Sequence, residues 1–429
     1  MGEILIKNVN IVDPEEGIKE NFDILIEGEK IVGIAKKIER KVSLVIDGKR
    51  LYAFPGLIDA HSHLREPGFE ESETIETGTK AASKGGYVLI FAMPNTDPCT
   101  DRGSVVKYVK EKAKFYGYCE VLPVGAITKG RKGEELADYY EMLKEGAIGF
   151  SDDGNYVQNS KLMEIALYYT RDFDKPLIQH AEDKFLCEGG VANESAFTLS
   201  LGLKGRPREG EIIAILRDVV LLKKTKGRLH IAHVSAKESV DIIKKAKEEG
   251  LNITAEASPH HLILTEKAIG DFDTNCKVNP PLREEEDREK LIEGLKEGII
   301  DIIATDHAPH RLFDKEKEFD LSPSGISSIE ISLSLILTFF YHKKIFELKD
   351  IVRFMSYNPA KIFCLEGYGK IKENNFASIT LVDVDREWIC NPDEFFSKGK
   401  NTPFKGYKLK GKVIYTINKG KITYKEEKI

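Results

Sequence analysis

The spacing of hydrophobic positions changes character twice along the chain. In the first fifty residues, ILIKNVNIV, DILIEGEKIVGIA and VSLVIDG are short runs of alternating apolar and polar residues between polar turns, the pattern of strands with one buried face. From about Gly56 to Leu365, eight apolar runs of strand length follow one another: GLIDAHSH, YVLIFAMPN, CEVLPVGAI, AIGFSDD, PLIQHAE, RLHIAHVS, NITAEASPHH and DIIATDHAPH. Between them lie helical segments such as SVVKYVKEKAKF, ELADYYEMLKEG, SVDIIKKAKEEG and REKLIEGLKEG, each ending near a glycine. Strands alternating with helices predict a parallel sheet covered by helices, and eight such units predict an α/β fold of the (β/α)8 TIM-like barrel type. Beyond the barrel the brief strands return as ASITLVDVD, KVIYTINKG and KITY. The two ends are therefore expected to build one small β-sandwich domain, residues 1–54 with 366–429, beside a barrel of residues 55–365.

Composition narrows the function classes. Charged residues are 31% against 41% hydrophobic, a globular balance that argues against disorder. The 64 basic and 70 acidic residues are interspersed, so no nucleic-acid surface is indicated and any anionic ligand must be held locally. The six cysteines are scattered without a C-x-x-C pair and read as buried thiols in a reducing cytosol. The N-terminus lacks the basic and apolar regions of a signal peptide, and ISLSLILTFFY is too short and serine-interrupted to span a bilayer. A soluble, cytoplasmic protein without a membrane partner is expected. Two glutamines, Gln158 and Gln179, against abundant Lys, Glu and Ile lean towards a thermophilic source.

Barrel enzymes carry their chemistry at the C-terminal ends of the strands, and here nine of the ten histidines fall in the strand-end segments. His61 and His63 are two apart on a strand, so both imidazoles face one way and can grip one ion. An isolated pair of this kind is usually no more than a polar strand end. Single His and Asp residues recurring at the ends of the fourth, fifth, sixth and eighth strands converge on one pocket. Imidazole with carboxylate and no thiolate suits zinc, with manganese or cobalt also compatible. His61, His63, His180 and His233 with two aspartates are too many ligands for one catalytic ion, which implies two.

PGLIDAHSHLREPG, ETIETGTKAASKGG, AMPNT, GFSDDG, IQHAED, HIAHVS, AEASPHHL, KVNPPLR, IATDHAPH and SKGKNTPFKGYKLKGKV occur in an order that resembles the amidohydrolase superfamily and, within it, the type I dihydroorotases. The resemblance covers nearly the whole chain. It implies His61 and His63 as ligands of one Zn2+, His180 and His233 as ligands of the other, and Asp153 together with a hydroxide as the bridge. Asp306 is implied as a ligand that also moves the proton. Many relatives bridge through a carboxylated lysine at the end of strand four. This chain has Asp152 and Asp153 there, its nearest upstream lysine, Lys144, lying in the preceding helix. Asp152 is left as either a supporting residue or a turn cap.

The resemblance implies reversible cyclisation of N-carbamoyl-L-aspartate to (S)-dihydroorotate and water, in de novo pyrimidine biosynthesis. Arg65, two residues past His63, is expected to continue the same face into the pocket mouth and hold a carboxylate, where the bland alternative is a surface salt bridge with Glu66 or Glu70. By resemblance, Arg65, Asn95 and His310 lie near the substrate carboxylate, Asn279 near the ring, and His63, Ser324 and Gly325 complete the contacts. The charged segment RLFDKEKEFDL is expected to be a solvated loop. His260 and His261 cannot both face inward on a strand, His230 is expected to be a packed strand histidine, and His307 a supporting partner. Two rivals stand beside this reading: a hydantoinase, dihydropyrimidinase or allantoinase, and a silent dihydroorotase-like scaffold of aspartate transcarbamoylase. Homo-oligomerisation and association with that transcarbamoylase are left open.

Overall fold

The computed structural model describes residues 2–427, so residues 1, 428 and 429 of the expected terminal domain lie outside it. The chain ends meet in one eight-stranded sheet. In it Lys421–Lys425, Lys408–Asn418, Ile379–Ile389, Tyr52–Pro55, Glu3–Asp13, Gly17–Glu27 and Lys30–Ala35 follow in order, and Leu44–Asp47 also pairs with Glu3–Asp13. Tyr52–Pro55 is the seam, parallel to Asn10–Ile11 on one side and antiparallel to Ile379–Val382 on the other. The alternating isoleucines supply this β-sandwich's own core, with Ile4, Ile6, Ile24, Ile26, Ile379 and Ile417 buried together.

Leu57 opens the first barrel strand, Leu57–Ser62, which pairs in parallel with Tyr87–Ala92, and that strand with Glu120–Pro123. On the other side Leu177–Gln179, Leu229–Ile231, Ile253–Ala257 and Ile302–Ile303 follow in parallel order. The expected fourth strand, AIGFSDD, is reduced to Phe150, which bridges Gly125 and Leu177. The Ser151 N–H bond to Gly125 O is the last of this ladder, because Asp152 next turns its carboxylate to Ile127 N–H in the loop after the third strand. The ring closes between the last and first strands through the Ser62–His307 bridge. Buried aliphatic residues fill it, among them Ile58, Val88, Leu89, Ile178, Ile302 and Ala304.

Local signals place most helix ends. Thr74 caps Ile75–Lys84 and Asn159 caps Ser160–Asp172, each side-chain oxygen meeting otherwise unpaired first-turn N–H groups. The helix expected over ELADYYEMLKEG is shorter, Tyr139–Glu145, because Asp138 caps it and Leu136 is engaged in a bridge to Thr128. The segment SPHHL does not continue the seventh strand. Pro259 sits at the first helical position and starts the turn Pro259–Ile263, so His260 and His261 are helical and both buried. Not all cysteines are buried, either: Cys364 is exposed and Cys99 half-buried. Among the described residues no helix is long and apolar enough to cross a membrane.

Candidate active site

At the C-terminal ends of the strands a cavity of about 240 Å3 is lined by His63, Arg65, Asn95, Asp153, His180, His233, Asn279, Asp306, His310, Ser324 and Gly325. His61 lies fully buried beneath it. Three of these positions leave ordinary backbone space. Arg65, His233 and Asp306 have φ of 60°, 32° and 45°, the left-handed region that costs free energy in a residue with Cβ and is held where the surroundings impose it. Arg65 therefore reaches the cavity mouth through a turn and not by strand alternation.

The donor atoms form two overlapping sets. His61 Nε2 is 3.2 Å from Asp153 Oδ1 and 3.6 Å from Asp306 Oδ1, and His63 Nε2 is 3.2 Å from Asp306 Oδ1 and 3.5 Å from Asp153 Oδ2. His180 Nδ1 is 2.9 Å from His233 Nε2, and Asp153 Oδ1 lies 3.8 and 3.5 Å from these two nitrogens. Tetrahedral ligands at zinc–nitrogen bond lengths sit about 3.3 Å apart, so both sets have the spacing of ligands around an ion. His61, His63 and Asp306, and separately His61, Asp153 and His233, also group as buried metal-capable triads.

Protonation sharpens the case. His61 Nδ1–H donates to Glu256 Oε1 at 2.6 Å and His63 Nδ1–H donates to Asn95 Oδ1 at 2.9 Å. These bonds fix the tautomers and leave both Nε2 lone pairs aimed at carboxylates, an arrangement that a cation resolves. His61 Nε2 and Asp153 Oδ1 each lack a hydrogen-bond partner although they are 3.2 Å apart. They are misaligned for N–H···O and placed as two ligands facing a common ion. Near His180 Nε2 stands the Asn279 amide at 3.2 Å, its own Oδ1 unpartnered; with the oxygen turned to the ring it takes the Nε2–H and frees Nδ1 for an ion.

Glu256 was not legible as a site residue, although a lone acid inside the apolar run ITAEA is the signal that could have exposed it. It is fully buried and spans His61 and His230 Nε2, the latter at 3.0 Å. Burial pushes its carboxyl up, but the two imidazoles outweigh that and hold it below the usual range. His230 is thus a packed strand histidine wired to the site through Glu256, with Nδ1 at 2.8 Å from Thr254 Oγ1. Glu256→Gln is expected to weaken metal binding about 10- to 100-fold, the usual effect of losing a partner that orients a ligand. Chelator competition checks this, and an unchanged affinity would reduce Glu256 to packing.

The remaining positions divide. Asp152 anchors the third strand's loop, accepting from Ile127 N–H and Thr128 N–H at 2.9 and 3.0 Å. His261 Nε2–H donates to Pro280 O at 2.9 Å, while both ring nitrogens of His260 are buried without a partner. His307 lies against buried Glu73 at 3.4 Å and accepts from Ser328 N–H. Arg65 has no carboxylate partner among the described residues. Its Nε–H donates to Pro309 O at 3.2 Å and its Nη2 lies 3.3 Å from His310 Nε2. Because that nitrogen is also 2.8 Å from Ser324 O, which can only accept, it carries the hydrogen. Burial and then Arg65 push His310 well below the usual histidine range, keeping it neutral. Gly325 has φ 147°, and a Cβ there would lie 2.6 Å from Ala308 O and 2.9 Å from His310 Nε2.

RLFDKEKEFDL is more than a solvated loop. It contains the turn Leu312–Lys315, and Lys315 points inward to donate to Pro323 O at 2.8 Å. Burial, reinforced by Lys277, pulls the Lys315 ammonium down to about 7. The turn walls an outer chamber of about 950 Å3 that shares Arg65, Asn95 and His310 with the inner cavity.

Residues 50–239 match the family model described as Dihydro-orotase-like. The chain is 47% identical over 425 residues to the dihydroorotase of Caldanaerobacter subterraneus subsp. tengcongensis, covering 99% of this chain and 98% of that one. It is 44% identical over 426 residues to the dihydroorotase of Aquifex aeolicus, covering 99% and 100%. Among solved structures it is similar to the L-hydantoinase (dihydropyrimidinase) of Arthrobacter aurescens, with a TM-score of 0.89 and 25% identity over 100% of this chain and 97% of that one. The dihydropyrimidinase of Brevibacillus agri, at 24% identity and a TM-score of 0.86, shares the fold.

Proposed function

The chain belongs to the dihydroorotase family, and from that premise we propose how its barrel site works as a metal-dependent amidohydrolase interconverting N-carbamoyl-L-aspartate and (S)-dihydroorotate in pyrimidine biosynthesis. The observation that carries the metal reading is the pair of unpartnered atoms, His61 Nε2 and Asp153 Oδ1, facing each other in a fully buried cluster. His61, His63 and Asp306 would hold one zinc ion, His180 and His233 the second, and Asp153 would be shared. Such ions supply Lewis acidity at the reacting carbonyl and make water acidic enough to react near neutral pH.

The chain's own residues do the rest. In hydrolysis, water adds to the ring carbonyl carbon and the C–N bond breaks. Asp306, whose carboxylate lines the cavity, takes the proton from water and returns it to the departing nitrogen; synthesis runs the same transfers in reverse. Its carboxyl is ionised at the outset, since the imidazoles packed around it outweigh the upward push of burial and hold it well below the usual carboxylate range. Arg65, with His310 and Asn95 beside it, receives the substrate carboxylate, and Asn279 with the Ser324–Gly325 backbone faces the ring. The inner cavity, about 240 Å3, is of a size for one small ring.

The hydantoinase reading is less favoured. The two dihydroorotases match at 44–47% identity over full length, no lysine lines the cavity among the described residues, and hydantoin and dihydropyrimidine rings have no carboxylate for Arg65. A silent scaffold is disfavoured because the full donor set converges. Bound metal, measured together with the ultraviolet loss of dihydroorotate, tests the proposal. Arg65→Ala is expected to raise KM for dihydroorotate about 10- to 100-fold, the scale of a lost charged hydrogen bond. An inactive parent enzyme with metals bound would sink the catalytic claim, and preferential turnover of neutral hydantoins would move the substrate class.

A further inference from the structure

The segment SKGKNTPF lies between the sheet strands Ile379–Ile389 and Lys408–Asn418, remote in sequence from every cavity-lining residue. One of its side chains nevertheless builds the wall behind the carboxylate pocket. Asn401 is 4% exposed. Its Oδ1 accepts from His310 N–H at 2.9 Å and from Ser327 Oγ–H at 2.8 Å, and its Nδ2 donates to Ala308 O at 3.1 Å and to Gly325 O at 2.9 Å. Two acceptor and two donor positions are thereby filled, the full capacity of an amide. Two partners, Ala308 and His310, flank Pro309, whose carbonyl takes Arg65 Nε–H. The other two, Gly325 and Ser327, belong to the strand-eight return loop. Two residues earlier, a Cβ on Gly399 would lie 2.5 Å from Pro309 Cβ and 2.5 Å from Ser327 Oγ, so the segment's backbone presses on the same two stretches.

We propose that Asn401 is a positioning residue for substrate recognition: it locks the Ala308–His310 and Gly325–Ser327 stretches together and so sets where Arg65 and His310 meet the substrate carboxylate. The inference rests on the reading above that Arg65 and His310 hold that group. Asn401 does not line the cavity and acts on substrate only through these stretches. A clamp serving the fold alone would reduce stability without selecting the carboxylate side of the site. A positioning role changes KM, and changes it through Arg65.

The test is a double-mutant cycle on the metal-loaded full chain, with Asn401→Ala, Arg65→Ala and the pair assayed for dihydroorotate hydrolysis beside metal content. Asn401→Ala is expected to raise KM about tenfold, the scale of buried polar groups left unpaired, with kcat and bound metal little changed. The double variant is expected to match Arg65→Ala, because residues acting through one another do not add. An unchanged KM in Asn401→Ala, a loss confined to kcat, or a double variant whose KM rise is the product of the two single rises would overturn the proposal. If Arg65→Ala raises KM and Asn401→Ala does not, this inference alone fails; if Arg65→Ala also leaves KM unchanged, the carboxylate reading falls with it. Should alanine lower the folded fraction, Asn401→Asp keeps the shape while turning an oxygen towards the Ala308 and Gly325 carbonyls, and the same KM rise is expected.

Discussion

Asp306→Ala is expected to lower kcat by about 10^2- to 10^4-fold, the contribution typical of a positioned acid–base group, with a smaller change in KM for dihydroorotate. The expectation follows from where the carboxylate is held. Asp306 sits past the last barrel strand at φ 45°, a strained setting for aspartate that turns its side chain onto His63, 3.2 Å away, and into the cavity. Two neighbouring contacts maintain that turn: His307 O accepts from His63 N–H at 2.9 Å, and Thr305 N–H donates to buried Asp59 at 2.8 Å. On the proposed mechanism the proton carrier is thus fixed before substrate arrives, as positioned catalytic groups require. Asp306→Asn is the sharper variant, since it preserves shape and an oxygen donor while removing the ability to take a proton. Rapid-quench or steady-state rates at saturating dihydroorotate, with metal content measured on the same samples, decide the matter. A kcat within tenfold of the parent for the asparagine variant would show that another group moves the proton.

How far the sequence carries a reader depends on the kind of contact involved. The barrel and its companion sheet are legible because strand and helix periods are written over many residues, and the histidine-bearing strand ends are legible because successive strand ends of a barrel converge. Asp153 could be preferred over Asp152 only through the family resemblance. The physical distinction is that Asp152 is spent on the amides of Ile127 and Thr128, a choice made by a loop and not by alternation. Arg65 reaches the mouth by a route that strand alternation does not describe, since its positive φ leaves the strand face. Glu256 and Asn401 are not legible in the sequence, because their roles lie in what they hold. Glu256 orients His61 from the seventh barrel strand, 195 residues away, and Asn401 reaches His310 across 91 residues. Lys315 illustrates the same limit in a charged segment, where one lysine of RLFDKEKEFDL turns inward because backbone carbonyls at Pro323 and Gly325 await it. Composition cannot distinguish that lysine from its solvated neighbours.

Asp153→Ala is the second large effect expected, and it separates the shared carboxylate from every other ligand. Among the described residues Asp153 alone approaches all four histidines, through Oδ1 to His61, His180 and His233 and through Oδ2 to His63, at 3.2 to 3.8 Å. Without it, His61, His63 and Asp306 still offer three donors to one ion, whereas His180 and His233 keep only each other, fewer ligands than zinc sites in proteins ordinarily retain. One ion per chain is therefore expected to be lost first, and the charge balance worsens for the other because a buried anion is gone from a cluster of imidazoles. Activity is expected to fall below about one thousandth of the parent, since unassisted water has a pKa of 15.7 against about 7 beside a zinc ion. Metal analysis after dialysis against a weak chelator reads the stoichiometry, and dihydroorotate hydrolysis with and without added zinc reads the rate. Glu256→Gln provides the contrast, because it weakens binding without removing a ligand and should be rescued by excess zinc where Asp153→Ala is not. Full metal retention and near-parental turnover in Asp153→Ala would refute the shared-carboxylate arrangement and require the two sets of histidines to be bridged by some other group.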